Sequence, residues 1–222
     1  MIEYNVKELL KKIPSEVTVV AAVKYASKKQ IEKAIKVGVT DIGFNHYQQM
    51  RDLAPYLPPE IKIHFIGTLQ LNKAKKVVNL NPYLIESVDS YELAEKINNA
   101  AKEKKTTQKI LIQVKTDKTK DTGLEPDDLL KLLDQISTLK YLSFEGLMTI
   151  PPESKDPEDS RKYFKELKDL KDKAENHLKK HLQHLSMGMT NDYQIAIEEG
   201  ASIVRIGRKV FDVSCFKKES IS

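Results

Sequence analysis

Lys24 closes an apolar run, VTVVAAVK (residues 17–24), and in a regular strand it shares a face with Thr18, Val20 and Ala22. An amine in that position is expected to be partly desolvated. That would favour its neutral form and suit it to attack an aldehyde. The bland alternative is a lysine that reaches back to solvent from a strand end. A second group of residues suits an anion. SMGMTND (186–192) sets Ser186, Gly188 and Thr190 ahead of a helical stretch, with Thr190 as its expected cap. IVRIGR (203–208) sets Gly207 and Arg208 at the start of the last one. Helix starts present free N–H groups that suit phosphate, although both glycines would equally serve tight turns. Arg205 alternates with apolar neighbours on a buried run, so it needs either a carboxylate or a ligand. His64, in phase with Ile66, reads as a satisfied core histidine. His181 and His184 flank a strand without the clustering a metal site needs.

These residues sit at regular places in a repeating scheme. Strand-like runs are expected at 17–24, 40–44, 61–67, 83–88, 109–116, 142–150, 182–187 and 202–207, and each leads into a segment of helical periodicity. Asp89 or Ser90, Pro126, Asp156 and Pro157 mark helix starts, and Gly200 marks a stop. Strands alternating with helices imply a parallel sheet. Eight such units imply an α/β fold of the (β/α)₈ TIM-barrel type, a single domain over 1–222. An open doubly wound sheet is the competing architecture, but no GxGxxG follows the first run. In a barrel the chemistry gathers at the C-terminal strand ends, where Lys24, Asn45, His46, Gly67, Gln70, Asn72, Lys73, Lys115, Thr116, Met148, Thr149, Ser186, Met187, Gly188, Arg205 and Gly207 all fall.

Composition narrows the function classes. A content of 40% hydrophobic and 31% charged residues is that of a folded globular chain. No apolar run approaches the roughly 18–20 residues of a membrane span. The start, MIEYNVKELLKKI, reads as an amphipathic helix and not as a signal peptide. Cys215 is the lone cysteine, which suits a reducing cytoplasm and rules out an intrachain disulfide. The net charge of +5 invites a polyanion, but the lysines are interleaved with acids along helices, as in 168–173, and read as a solvated surface. No nucleic-acid or membrane partner is expected.

Five spaced segments, AAVKYAS (21–27), HFIGTLQLNK (64–73), GLMTI (146–150), LSMGMTND (185–192) and VRIG (204–207), resemble the pyridoxal-phosphate homeostasis proteins, which share the alanine racemase N-terminal barrel. The resemblance runs in order over nearly the whole chain. It implies that pyridoxal 5'-phosphate (PLP) is the cofactor, joined to Lys24 as a Schiff base. Ser186, Gly207 and the backbone around Arg208 would hold the phosphate, with Thr190 nearby. Arg205 would face the pyridine nitrogen, and Asn45 the ring or its 3-hydroxyl. A guanidinium does not readily give up its proton, so the ring nitrogen would stay largely unprotonated and the cofactor a weak electron sink. Three positions depart from the pattern. Phe44 stands where relatives usually carry glutamate, Asp121 (beside Lys120) where a lysine precedes the glycine, and Arg208 where threonine is common.

Alanine racemase takes its second base, a tyrosine, from a further β-domain, whereas only about fifteen residues follow the eighth run here. The expectation is a monomeric PLP carrier that stores the cofactor or delivers it to PLP-dependent apo-enzymes, with no robust catalysis. The alternatives are a weak amino-acid racemase using Tyr25 or Tyr47 as second base, and a basic barrel that binds RNA or another polyanion.

Overall fold

The computed structural model describes residues 1–117, 119 and 121–211; Lys120 and Cys215 lie outside the described residues. Eight parallel strands form a closed barrel in sequence order: β1 (Thr18–Ala22), β2 (Asp41–Phe44), β3 (Lys62–Phe65), β4 (Leu84–Val88), β5 (Gln108–Gln113), β6 (Leu142–Met148), β7 (His184–Ser186) and β8 (Ile203–Ile206). The ring closes through β1 and β8, whose register pairs Val20 with Arg205. That closure excludes the open doubly wound sheet.

The helices are α1 (Ile2–Lys12), α2 (Lys28–Lys36), α3 (Tyr47–Leu53), α4 (Ala74–Val78), α5 (Tyr91–Glu103), α6 (Leu129–Ile136), α7 (Arg161–Leu178), α8 (Tyr193–Glu198) and α9 (Arg208–Phe211). Their starts follow local chemistry. Ser27 and Gln30 form a reciprocal capping box on α2, and Ser90 caps α5 by accepting from the Leu93 amide. Pro126 and Pro157 each open a short 3-10 turn that leads into α6 and α7 respectively, the second capped by Asp156. Thr190 does not cap α8. The Met189 carbonyl accepts from the amides of both Asp192 and Tyr193, so the chain completes a separate turn there and the helix begins behind Asp192.

Strand alternation separates two apolar layers. Val19, Ala21, Ile42 and Phe44 point outward into the helix layer, whereas Val20, Ile66, Leu84, Leu111, Met148 and Ile203 fill the barrel interior. The interior is tight: a Cβ on Gly43 would stand 2.7 Å from Val20 Cγ1 and 2.8 Å from Ile66 Cδ1. The observed strands are shorter than the expected runs. β1 ends at Ala22, and the chain then turns, with the Ala26 amide bonding to the Val23 carbonyl.

Candidate functional site

A cavity of about 870 Å³ opens at the C-terminal mouth of the barrel, and Lys24, Asn45, Thr190, Arg205, Gly207 and Arg208 all line it. Six residues expected at one site from four separate strand ends thus come together. Lys24 lies two residues beyond β1 and is exposed, with Nζ 5.1 Å from the Tyr25 ring centroid. The expected desolvation of this amine is therefore not met, because the strand ends before it. Asn45 follows β2 directly and is half-buried. Its carbonyl lies so close to Gly67 that a Cβ there would stand 2.0 Å from the oxygen, which restricts that position to glycine. Gly207 precedes α9, and its carbonyl accepts from the Val210 and Phe211 amides. Arg208 is exposed and pairs with Glu153 at 3.5 Å across the mouth.

Ser186 does not reach the cavity. It is fully buried at the end of β7, and its hydroxyl points into the barrel, because β7 continues to Ser186 in regular alternation and only the turn after Gly188 rises to the mouth. Thr190, four residues on, is the hydroxyl at the cavity wall. Phe44 faces the helix layer and not the mouth, so its departure from the family pattern falls in the packing. Tyr25 lines the cavity. Tyr47 is absent from its lining and sits half-buried with the Lys73 ammonium 5.6 Å from its ring.

Beneath the cavity runs a buried polar chain. Arg205 Nη1 donates to Ser186 Oγ at 2.5 Å, and Nη2 donates to the Thr149 carbonyl at 2.7 Å. Ser186 Oγ donates to Glu86 Oε2 at 2.5 Å. Glu86 Oε1 lies 2.7 Å from His64 Nδ1, and His64 Nε2 lies 3.0 Å from Asp41 Oδ1. Thr40 Oγ1 donates to the other Asp41 oxygen at 2.6 Å. Thr149 is fixed in turn by the Val114 carbonyl at 2.9 Å and Thr116 at 2.8 Å.

This chain sets its members' charges. Burial would lower the His64 pKa, but hydrogen bonds to Asp41 and Glu86 outweigh it and push the imidazole up to about 9. Burial works the other way on the two acids, yet the bonds to His64 hold both Asp41 and Glu86 below the usual carboxylate range. Burial pulls the Arg205 guanidinium below its ordinary value, with Glu86 and Asp192 opposing it.

Glu86 and Asp41 were not singled out from the sequence, although a signal was there. Each is an acid inside a run otherwise suited to a buried strand, and a buried carboxylate requires partners. His64 is the satisfied core histidine expected, and Arg205 meets both alternatives at once, with a carboxylate nearby and a cavity in front of it. His181 pairs with Glu175 at 2.9 Å, and His184 lies 3.4 Å from the Ser202 hydroxyl.

The fold and this site place the chain among known proteins. Residues 1–214 match the family model for the alanine racemase N-terminal domain. The pyridoxal phosphate homeostasis protein of Aquifex aeolicus is 41% identical over 167 residues, covering 74% of this chain and 70% of the relative. That of Synechocystis is 37% identical over 210 residues, covering 92% and 94%. Among solved structures, PipY of Synechococcus elongatus with PLP bound superposes with a TM-score of 0.88 at 30% identity, covering 95% of this chain and all (100%) of that one. A closed barrel with its amine, guanidinium and glycine turns at one mouth, matched along nearly its full length by these relatives, belongs to the pyridoxal phosphate homeostasis protein family.

Proposed function

We propose that this chain binds PLP in the cavity at the barrel mouth, with Lys24 as its covalent anchor, and serves as a monomeric cytoplasmic carrier that stores the cofactor or delivers it to PLP-dependent apo-enzymes. The observation that carries this reading is the convergence of the open Lys24 amine and the buried Arg205 guanidinium on one cavity. The residues present fit the three polar ends of the group. Lys24 meets the aldehyde, Arg205 offers an N–H donor to the ring nitrogen, and Thr190, the backbone at Gly207 and the Arg208 cation suit the phosphate. Asn45, at the cavity wall, suits the ring or its 3-hydroxyl. PLP brings an aldehyde that condenses with a primary amine and releases one water, and water reverses the bond, which suits storage and release.

The relatives' shared name and the PLP held by PipY support the reading. To Ser186, buried and bonded to Arg205 and Glu86, we assign a different part from the one the resemblance implied. It supports Arg205 from below and leaves the phosphate to Thr190, Gly207 and Arg208. The test is borohydride reduction of the PLP-loaded protein followed by peptide mapping. The label is expected on Lys24 and lost in Lys24→Ala; a label retained on another lysine would refute the assignment. A D-amino-acid assay separates carrier from racemase, since sustained turnover above the background of free PLP would overturn the carrier reading.

A further inference from the structure

Of the chain Asp41–His64–Glu86–Ser186–Arg205 only Arg205 lines the cavity, yet the chain buries four ionisable side chains inside the barrel. Stability does not explain it. Well-packed apolar residues in place of a buried ion network are often neutral or stabilising. The chain ends, however, on Arg205, whose buried guanidinium lines the cavity. We propose that His64 and Glu86 are positioning residues for Arg205, fixing its guanidinium at the cavity wall and thereby setting how tightly the cavity retains PLP. This inference rests on the reading of the cavity as a PLP site.

The physical basis is a charge balance. With His64 protonated, two acids, Asp41 and Glu86, meet two cations, His64 and Arg205. Each oxygen of Glu86 then has its own donor, His64 at Oε1 and the Ser186 hydroxyl at Oε2. Arg205 Nη1 stays 3.9 Å from Glu86 Oε2, held by Ser186 and the Thr149 carbonyl. Once His64 is neutral, two carboxylates face one guanidinium. Glu86 then has only Arg205 to balance it, and draws it inward, away from the cavity. Among the described residues, the other charged or titratable groups that bear on the chain are Lys62 beside Asp41, His184 on β7, Asp192 beside Arg205, and Tyr83, whose ring centroid is 5.6 Å from that of His64. Glu145 on β6 and Lys109 on β5 bear on His184, and Lys109 Nζ also lies 4.6 Å from the Tyr83 ring centroid. His64 has both ring nitrogens taken by the two acids.

The experiment measures PLP dissociation constants of the full chain and of His64→Gln by absorbance titration from about pH 7 to about pH 10. Near neutrality His64→Gln is expected to bind about tenfold more weakly, and the ratio of the two constants is expected to fall toward one above about pH 9, where the wild-type imidazole is neutral as well. Lys24 is the same in both proteins, so its contribution cancels in the ratio. A ratio of one throughout, or one that does not change with pH, overturns the proposal. If His64→Gln folds poorly, the wild type carries the test. A tenfold preference for the protonated imidazole requires saturating PLP to move the His64 titration, followed by its imidazole NMR signals, upward by about one pH unit. An unmoved titration overturns the proposal. Failure of the PLP site looks different, since the wild type would then take up no PLP, while the His64 titration of the protein alone would still be observed near pH 9.

Discussion

Arg205 and Glu86 approach within 3.9 Å without bonding directly, and the Ser186 hydroxyl spans the space, accepting from Nη1 at 2.5 Å and donating to Oε2 at 2.5 Å. One small side chain from β7 thus joins β4 to β8 across the barrel interior. Ser186→Ala removes both charge-assisted bonds while changing little volume. It is expected to lower the unfolding free energy by about 1–3 kcal/mol and to weaken PLP retention through Arg205. Chemical denaturation checks the first effect, and an unchanged midpoint would refute the bridging role.

His64 gives stability a pH dependence of definite sign. Its folded-state pKa of about 9 lies above the ordinary value of 6.5, so its contribution is full below about pH 6.5 and is lost as pH rises through about 9. A gap of that size amounts to about 3 kcal/mol. Asp41 and Glu86 are held low, so their contributions are present above the ordinary carboxylate range and lost in acid. The melting temperature is expected to fall between about pH 6.5 and about pH 9 in the wild type, and His64→Gln should flatten that arm. A wild-type profile flat over the same interval would count against a protonated His64.

Gly188 and Gly200 offer a matched pair. Both have a positive φ, +91° and +94°, but a Cβ on Gly188 would meet Ala196 Cβ at 2.5 Å and Tyr193 Cα at 3.0 Å, whereas one on Gly200 meets nothing within 4 Å among the described residues. Gly200→Ala should cost only the backbone strain, about 1–2 kcal/mol. Gly188→Ala should cost about 1–3 kcal/mol more from crowding. Because Gly188 leads to the turn that carries Thr190, it should also loosen PLP. Equal losses in the two variants would show that the turn yields.

Arg208 and Glu153 form an exposed pair at the mouth, 3.5 Å apart. Such pairs contribute about 0–1 kcal/mol, so Arg208→Ala should leave the denaturation midpoint almost unchanged. Its effect should appear on the phosphate, with PLP affinity falling about five- to thirtyfold, by about 1–2 kcal/mol, and affinity for unphosphorylated pyridoxal staying constant. Parallel titrations with the two vitamers decide it. Equal losses for both would remove Arg208 from the phosphate.

The eight alternating units, the order of the strands and the placement of Lys24, Asn45, Arg205, Gly207 and Arg208 at strand ends were legible in the sequence, since they rest on periodicities of two and 3.6 residues and on local turn chemistry. The closed ring was expected from the count of eight units, whereas the depth of each side chain and the partner each one meets were decided by tertiary structure alone. Ser186 and Glu86 lie 100 residues apart, and Glu86 meets His64 across 22; only the register of a closed barrel brings such pairs to bonding distance. The same register buried Ser186 and left Thr190 at the mouth, though both are hydroxyls in one short segment. Lys24 became open to solvent because β1 stopped two residues before it. Local pattern sets which way a side chain alternates, whereas burial and charge state depend on what the other strands place opposite it.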